Sequence, residues 1–308
     1  MSYLSRNQAR DFLADWGIDI ETLHERAPEI ADDECLALTG SIVEGLANDE
    51  SDVDMLYLGN GVLKDKLVMH MDTSFKFGVS HDENGREINV EQLTFADLND
   101  FADRVSRSME CLTDPQKSKE AFAERNESKL KMLHRIKTAL PLVNADVLHD
   151  WQSRLKLNEF HRFVCLSLVQ NLMNQREDII GEVKAGKIDS AIWMTKCQFA
   201  PTLVSSLLAS VGETNAHAKW HYQLLRRYED ELGRERVADV LRFVFLPADD
   251  LREDLIGKLM SVSEPVVEDI YDRQRLVRRA MIVFALTVRY TDPKNLDRWA
   301  RSKPLSEA

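Results

Sequence analysis

The chain has 308 residues, 44% of them hydrophobic, and a formal net charge of −12. That length leaves room for two domains, and that apolar fraction for a real core. The acidic balance repels a phosphodiester backbone, which weighs against a nucleic-acid polymer as substrate and fits a cationic or neutral small molecule better.

No run of about eighteen apolar residues occurs, so nothing is expected to span a membrane. The N-terminal Met1–Arg6 stretch lacks the apolar core of a signal peptide, and a cytoplasmic protein is expected. Cys35, Cys111, Cys165 and Cys197 are far apart, without Cys-x-x-Cys spacing, and read as reduced, mostly buried thiols.

In chain order, Ser5 to Trp16 and Ile20 to Ile30 carry amphipathic helical patterns. The acidic run Asp32-Asp33-Glu34 has no fixed face and reads as exposed loop. Short apolar strands follow at Cys35–Leu38 and Val53–Leu58, the second ended by Gly59-Asn60-Gly61. Next comes a hairpin: alternation from Thr73 to Val79, a turn through Asn84-Gly85, and a return from Arg86 to Leu93. Thr94 is a reasonable N-cap for a helix from Phe95.

From about Pro115 helical periodicity takes over. The expected helices are 117–140, 145–175, 191–210, 216–232, 237–245, 251–260 and 267–290, with Pro141, Pro247 and Pro265 punctuating them. In the last of these Ile270, Val277, Met281, Phe284 and Val288 fall on one stripe, as a core-facing helix requires.

Two short stretches carry chemistry. Leu38-Thr39-Gly40-Ser41 ends the first strand, and Gly40 permits close backbone approach while Ser41 is placed to cap a helix beginning at Ile42. Backbone N–H groups at such a helix start favour phosphate oxygens. After a ten-residue gap from Ser41, Asp52-Val53-Asp54-Met55 opens the second strand. Alternation puts Asp52 and Asp54 on one face, about 6–7 Å apart, which suits Mg²⁺ bridging to a triphosphate. Each piece also has a plain structural reading. Ser41 with Glu44 is a capping box that needs no ligand, and an Asp-x-Asp pair at a strand end is often a solvated turn.

Gly40-Ser41, the gap, and Asp52-Val53-Asp54-Met55 together resemble the signature of the DNA polymerase β-like nucleotidyltransferase superfamily, with Thr39 where an aliphatic residue is usual. The resemblance covers roughly residues 30 to 100. It implies an α/β mixed-sheet nucleotidyltransferase domain over 1–115, followed by an all-α helical-bundle domain over 116–308. It also implies Mg²⁺ held by Asp52 and Asp54, and an NTP co-substrate, ATP by family frequency, bound at Gly40 and Ser41.

The family draws a third carboxylate from a neighbouring strand. Here that strand is Glu87-Ile88-Asn89-Val90-Glu91, and the matching position holds Asn89, which cannot take a proton near neutral pH. Glu87 and Glu91 share its face, and Glu91 is the favoured substitute as a catalytic carboxylate.

A second resemblance lies in Val211–Trp220, which looks like the helical domain of small-molecule, aminoglycoside-type nucleotidyltransferases. It implies that Lys219 reaches the triphosphate. Taken by itself, Lys219 reads as a solvated charge and Trp220 as a packing residue. His217 and His221, spaced i, i+4, lack the Glu of a His-Glu-x-x-His zinc site and any evident third ligand. Lys129, Lys131, Arg135 and Lys137 could touch phosphates or RNA, but such a run is more often a solvated face balanced by neighbouring acids. The expected function is transfer of an NMP to a hydroxyl of a small molecule. The rivals are a toxin-like enzyme that modifies protein or tRNA, and a degenerate nucleotide-binding regulator.

Overall fold

In the computed structural model, which describes residues 3–63, 76–81, 85–110, 127–215 and 217–273, five segments form strands. They are β1 (Cys35–Thr39), β2 (Val53–Leu58), β3 (Lys76–His81), β4 (Glu87–Leu93) and β5 (Leu140–Val143). They join in one mixed sheet of order β3-β4-β2-β1-β5. β1 runs antiparallel to β2, with Thr39 opposite Asp54. β2 and β4 are parallel, pairing Asp54 with Asn89 and Leu56 with Glu91. β3 adds antiparallel to β4, and β5 antiparallel to β1. The interior strand β1 is buried along its whole length, which explains its unbroken apolar run.

The described residues fall into two compact units, one drawn from 1–106, 126–159 and 215–223, the other from 107–125, 160–214 and 224–308. The boundary expected at 115/116 lies outside the described residues. In the first unit, Leu36, Leu38, Met55, Tyr57, Ile88 and Val90 from the sheet pack with Leu13 and Leu23 into one hydrophobic core. Helix α1 (Arg6–Asp15) starts from a capping box between Ser5 and Gln8. Helix α2 (Phe95–Glu110) starts from Thr94, whose hydroxyl accepts from the Asp97 N–H at 3.2 Å while Asp97 Oδ2 accepts from the Thr94 N–H at 2.9 Å.

The fold class is as expected, a mixed α/β sheet followed by a largely helical region, but several local expectations are corrected. Ile20–Arg26 is a 3₁₀ helix, stopped at Ala27, which is extended ahead of Pro28. Residues 41–45 make one turn and no helix, since Gly45 enters the left-handed region at φ 64°. Glu34 is not exposed loop. Its carboxylate accepts from Tyr57 Oη at 2.6 Å and from the backbone N–H groups of Ala31, Asn60 and Gly61.

The run expected as helix 117–140 is described only as α3 (Glu127–Thr138), and the strand β5 follows at once. Pro141 is tolerated there because β5 is an edge strand. The helix expected over 145–175 is two, α4 (Ala145–Arg154) and α5 (Leu157–Lys184), broken where Lys156 takes φ 50°. Residues 73–75, the turn residues 82–84, Cys111 and the 274–290 part of the last expected helix lie outside the described residues.

The second unit is helical in its described residues. After α5 come α6 (Ile188–Met194), a π-helical turn Thr195–Phe199, and α7 (Ala200–Ala209), which is buried almost all round and therefore central. Lys196 Nζ donates to the carbonyls of Val244 and Leu246 and so satisfies the end of the helix Arg234–Phe245. Pro265 does not end a helix. It lies inside Leu255–Arg273. Among the described residues no helix is long and apolar enough to cross a membrane.

Candidate active site

The antiparallel register of β1 and β2 brings the turn after Thr39 beside the start of β2. Gly40, at φ 75°, has no side chain there, and a Cβ would overlap the Asp54 carboxylate. The loop before β2 is pinned twice. The Asn48 N–H donates to Ser51 Oγ at 3.0 Å, and Arg86 Nη1 donates to the Ser51 carbonyl at 2.6 Å. The Arg86 guanidinium in turn lies 3.7 Å from the Trp16 ring centroid. Asp52 is thereby held beside Asp54, and Asn89 Nδ2 donates to Asp52 Oδ2 at 3.0 Å.

The helix α3 supplies a cation that the sequence reading placed in solvent. Arg135 is buried, with Nη2 3.2 Å from Asp54 Oδ2 and Nη1 paired with Glu91 Oε2. Its carbonyl accepts from Thr39 Oγ1 at 3.2 Å, which ties the helix to β1. Arg135 leaves the solvated face because Lys131, His134, Arg135 and Thr138 form one stripe at helical spacing, opposite Met132, Leu133 and Ile136. That spacing was the available signal.

A second buried cluster lies alongside. Glu44 stands 3.3 Å from His134 Nε2 and accepts from Asn215 Nδ2. The Asn215 amide oxygen accepts from the His217 N–H at 3.0 Å, so one side chain links Glu44 to the segment that carries Lys219.

These residues enclose a pocket of roughly 440 Å³. Of the residues expected at the site, Gly40, Ser41, Asp52, Asp54 and Lys219 all line it. Glu91 is not among the lining residues and stands behind Arg135. Asn89 likewise sits one contact behind Asp52. The sequence reading did not assign Glu44, Lys131, His134, Arg135 or Asn215 to the pocket, and Trp220 lines it as well. Lys219 Nζ lies 4.7 Å from the Trp220 ring centroid.

The electrostatics follow from burial. Desolvation pushes Asp54 up to about 6, with Glu91 and Asp52 adding to the effect and Arg135 and Lys131 opposing it. Burial would lower the Arg135 pKa, but Asp54 and Glu91 reverse that and raise it. Burial and the neighbouring Arg135 lower that of Lys131. Glu44 would be raised by burial, yet its bonds to His134 and Asn215 hold it below the usual carboxylate value. Among the described residues no group of three His, Cys, Asp or Glu side chains is arranged to hold a metal ion, so any ion here needs other oxygens.

No protein-family model matches the chain, and no curated protein matches it. Among solved structures, a nucleotidyltransferase-like protein from Exiguobacterium sibiricum 255-15 aligns with 96% of this chain and 80% of its own. The identity is 11% and the TM-score 0.39.

Proposed function

We propose that this chain is a magnesium-dependent nucleotidyltransferase. In this reading it moves the NMP of a nucleoside triphosphate, with ATP as donor, onto a hydroxyl of a small molecule and releases pyrophosphate. The observation that carries the reading is the meeting in one pocket of the Gly40-Ser41 turn, the Asp52/Asp54 pair and three cations, Lys131, Arg135 and Lys219. Carboxylates beside several cations suit a polyphosphate that travels with its metal.

The donors fit Mg²⁺. Asp52 and Asp54 offer hard oxygens. Asn89, behind Asp52, donates to its carboxylate and keeps a buried Oδ1 without a hydrogen-bond partner among the described residues, so it orients Asp52 without adding charge. When bound, the ion supplies charge neutralisation and orientation at the phosphates. The protein's own part is positioning. Ser41 and its backbone hold the terminal phosphates, and Lys131 and Lys219 pair with phosphate oxygens. The acceptor oxygen bonds to the α-phosphorus as the bond to the pyrophosphate oxygen breaks, and the hydroxyl proton passes to solvent. Such a transfer depends mainly on alignment and charge, so a strong base is dispensable. Glu91, first expected to take that proton, is engaged by Arg135, and its part here is to hold that guanidinium.

Two observations favour a second reading, a regulator that binds nucleotide without transferring it. Arg135 contacts both Asp54 and Glu91, and the uncharged Asn89 is paired with Asp54 in the sheet. The test is to supply each NTP with Mg²⁺ and a panel of hydroxylated small molecules, proteins and tRNA, then follow pyrophosphate and the transferred nucleotide. Transfer abolished by Asp54→Ala supports the enzyme. Nucleotide binding with no transfer to anything supports the regulator. Transfer at the wild-type rate in Asp54→Ala excludes the metal role.

A further inference from the structure

We propose that the site takes a single divalent cation, and that the Arg135 guanidinium fills the place of a second. The inference rests on the nucleotidyltransferase reading and concerns how that site is charged.

A second ion would need a further acid beside Asp54; Glu44 in the pocket is already engaged by His134 and Asn215, which leaves Glu91. Asp54 and Glu91 are already bridged. Arg135 places one guanidinium nitrogen on Asp54 Oδ2 and another on Glu91 Oε2, with the three side chains only 10%, 14% and 13% exposed for Arg135, Asp54 and Glu91. A planar fork of this kind satisfies two separate carboxylates at once, which a single ammonium does less well. The guanidinium is also fixed from behind, since Thr39 Oγ1 donates to the Arg135 carbonyl and α3 fixes the backbone. An ion that displaced it would leave a buried cation unpaired, a strongly unfavourable exchange.

Asn89 agrees with this count. It stands opposite Asp54 in the sheet, where a carboxylate would tighten the hold on the one ion without displacing Arg135. Its Nδ2 donates to Asp52, and its buried Oδ1 has no partner among the described residues. A neutral side chain at that point adds no charge behind Asp52 and Asp54, which hold the one ion, and attracts no other.

The test counts ions directly. Mn²⁺ replaces Mg²⁺, with a non-hydrolysable α,β-methylene ATP analogue present, and bound Mn²⁺ per chain is measured by electron paramagnetic resonance. The expected count is one in the wild type and in Arg135→Lys, and two in Arg135→Gln. Asn89→Asp, which keeps the volume and Arg135, is expected to bind its one ion about tenfold more tightly and still count one. Two ions in the wild type or in Asn89→Asp overturn the inference and leave the nucleotidyltransferase reading standing. One ion in a folded Arg135→Gln overturns the role of Arg135. No Mn²⁺ and no analogue bound by the wild type overturns the underlying reading instead.

Discussion

Gly40 and Asp54 occupy one another's space. The glycine holds φ 75°, and the Asp54 carboxylate fills the position a Cβ at residue 40 would take. The turn after β1 and the acid on β2 are therefore one device, and neither sits where it does without the other.

Gly40→Ala is expected to fail on both counts. The left-handed backbone costs an L-residue about 1–2 kcal/mol, and the methyl group pushes the Asp54 carboxylate out of place. Urea unfolding reads the first effect and Mn²⁺ affinity the second. A variant with wild-type stability and wild-type Mn²⁺ affinity would contradict the packing described.

Glu34 is a structural acid well apart from this chemistry. Its carboxylate gathers Tyr57 Oη and three backbone N–H groups, which fixes the Gly59–Gly61 turn behind β2. Glu34→Ala takes the acceptor from Tyr57 Oη and from the Ala31 and Asn60 N–H groups, while the Gly61 N–H keeps Tyr57 Oη at 2.8 Å, and is expected to cost about 3 kcal/mol of folding stability. Denaturant titration checks it, and a loss below about 0.5 kcal/mol would show the turn holding by other means.

Lys219 gives the opposite pattern. Its side chain is exposed on a short 3₁₀ turn, so Lys219→Ala should leave the unfolding midpoint unchanged. Loss of an ammonium-to-phosphate contact is expected to raise the KM for nucleotide roughly tenfold, more at low salt than at high. Steady-state kinetics at two ionic strengths decide it, and an unchanged KM would remove Lys219 from the site.

His221 sets a pH dependence of stability. Burial, with His217 nearby, pushes it down to about 4 from an ordinary 6.5. Between those values the unfolded chain binds the proton and the folded chain does not, so stability falls as pH drops through that window and levels off below it. The loss from near pH 7 to near pH 5 is expected to be about 2 kcal/mol. His221→Gln should flatten that part of the profile. A variant whose stability has the same slope as the wild type would assign the dependence to other groups.

Much of the first unit was legible because local chemistry specified it. The amphipathic period from Ser5, Thr94 as an N-cap and the alternation of Val53–Leu58 announce their elements, and the structure completes the two caps with Gln8 and Asp97. The pairing of Gly40-Ser41 with Asp52 and Asp54 was legible for a similar reason. A conformational requirement and a charge pattern lie close together in the chain.

What escaped was decided by distance along it. β5 is four residues with a proline, too short and too weak in propensity to be a strand alone, and it exists because β1 offers an edge. Residues 41–45 carry a capping-box pattern yet stop after one turn, because Gly45 turns left-handed and Glu44 is drawn to His134 and Asn215 instead.

The sequence by itself determined the class of fold and the acid pair at the mouth of β2, because strand alternation and a glycine turn are properties of neighbouring residues. Only the tertiary structure decided which cations face those acids. Arg135 is 81 residues from Asp54 in the chain, and whether a helix charge meets water or a carboxylate depends on which face the rest of the fold covers. That is a property of packing, and no window of local sequence contains it.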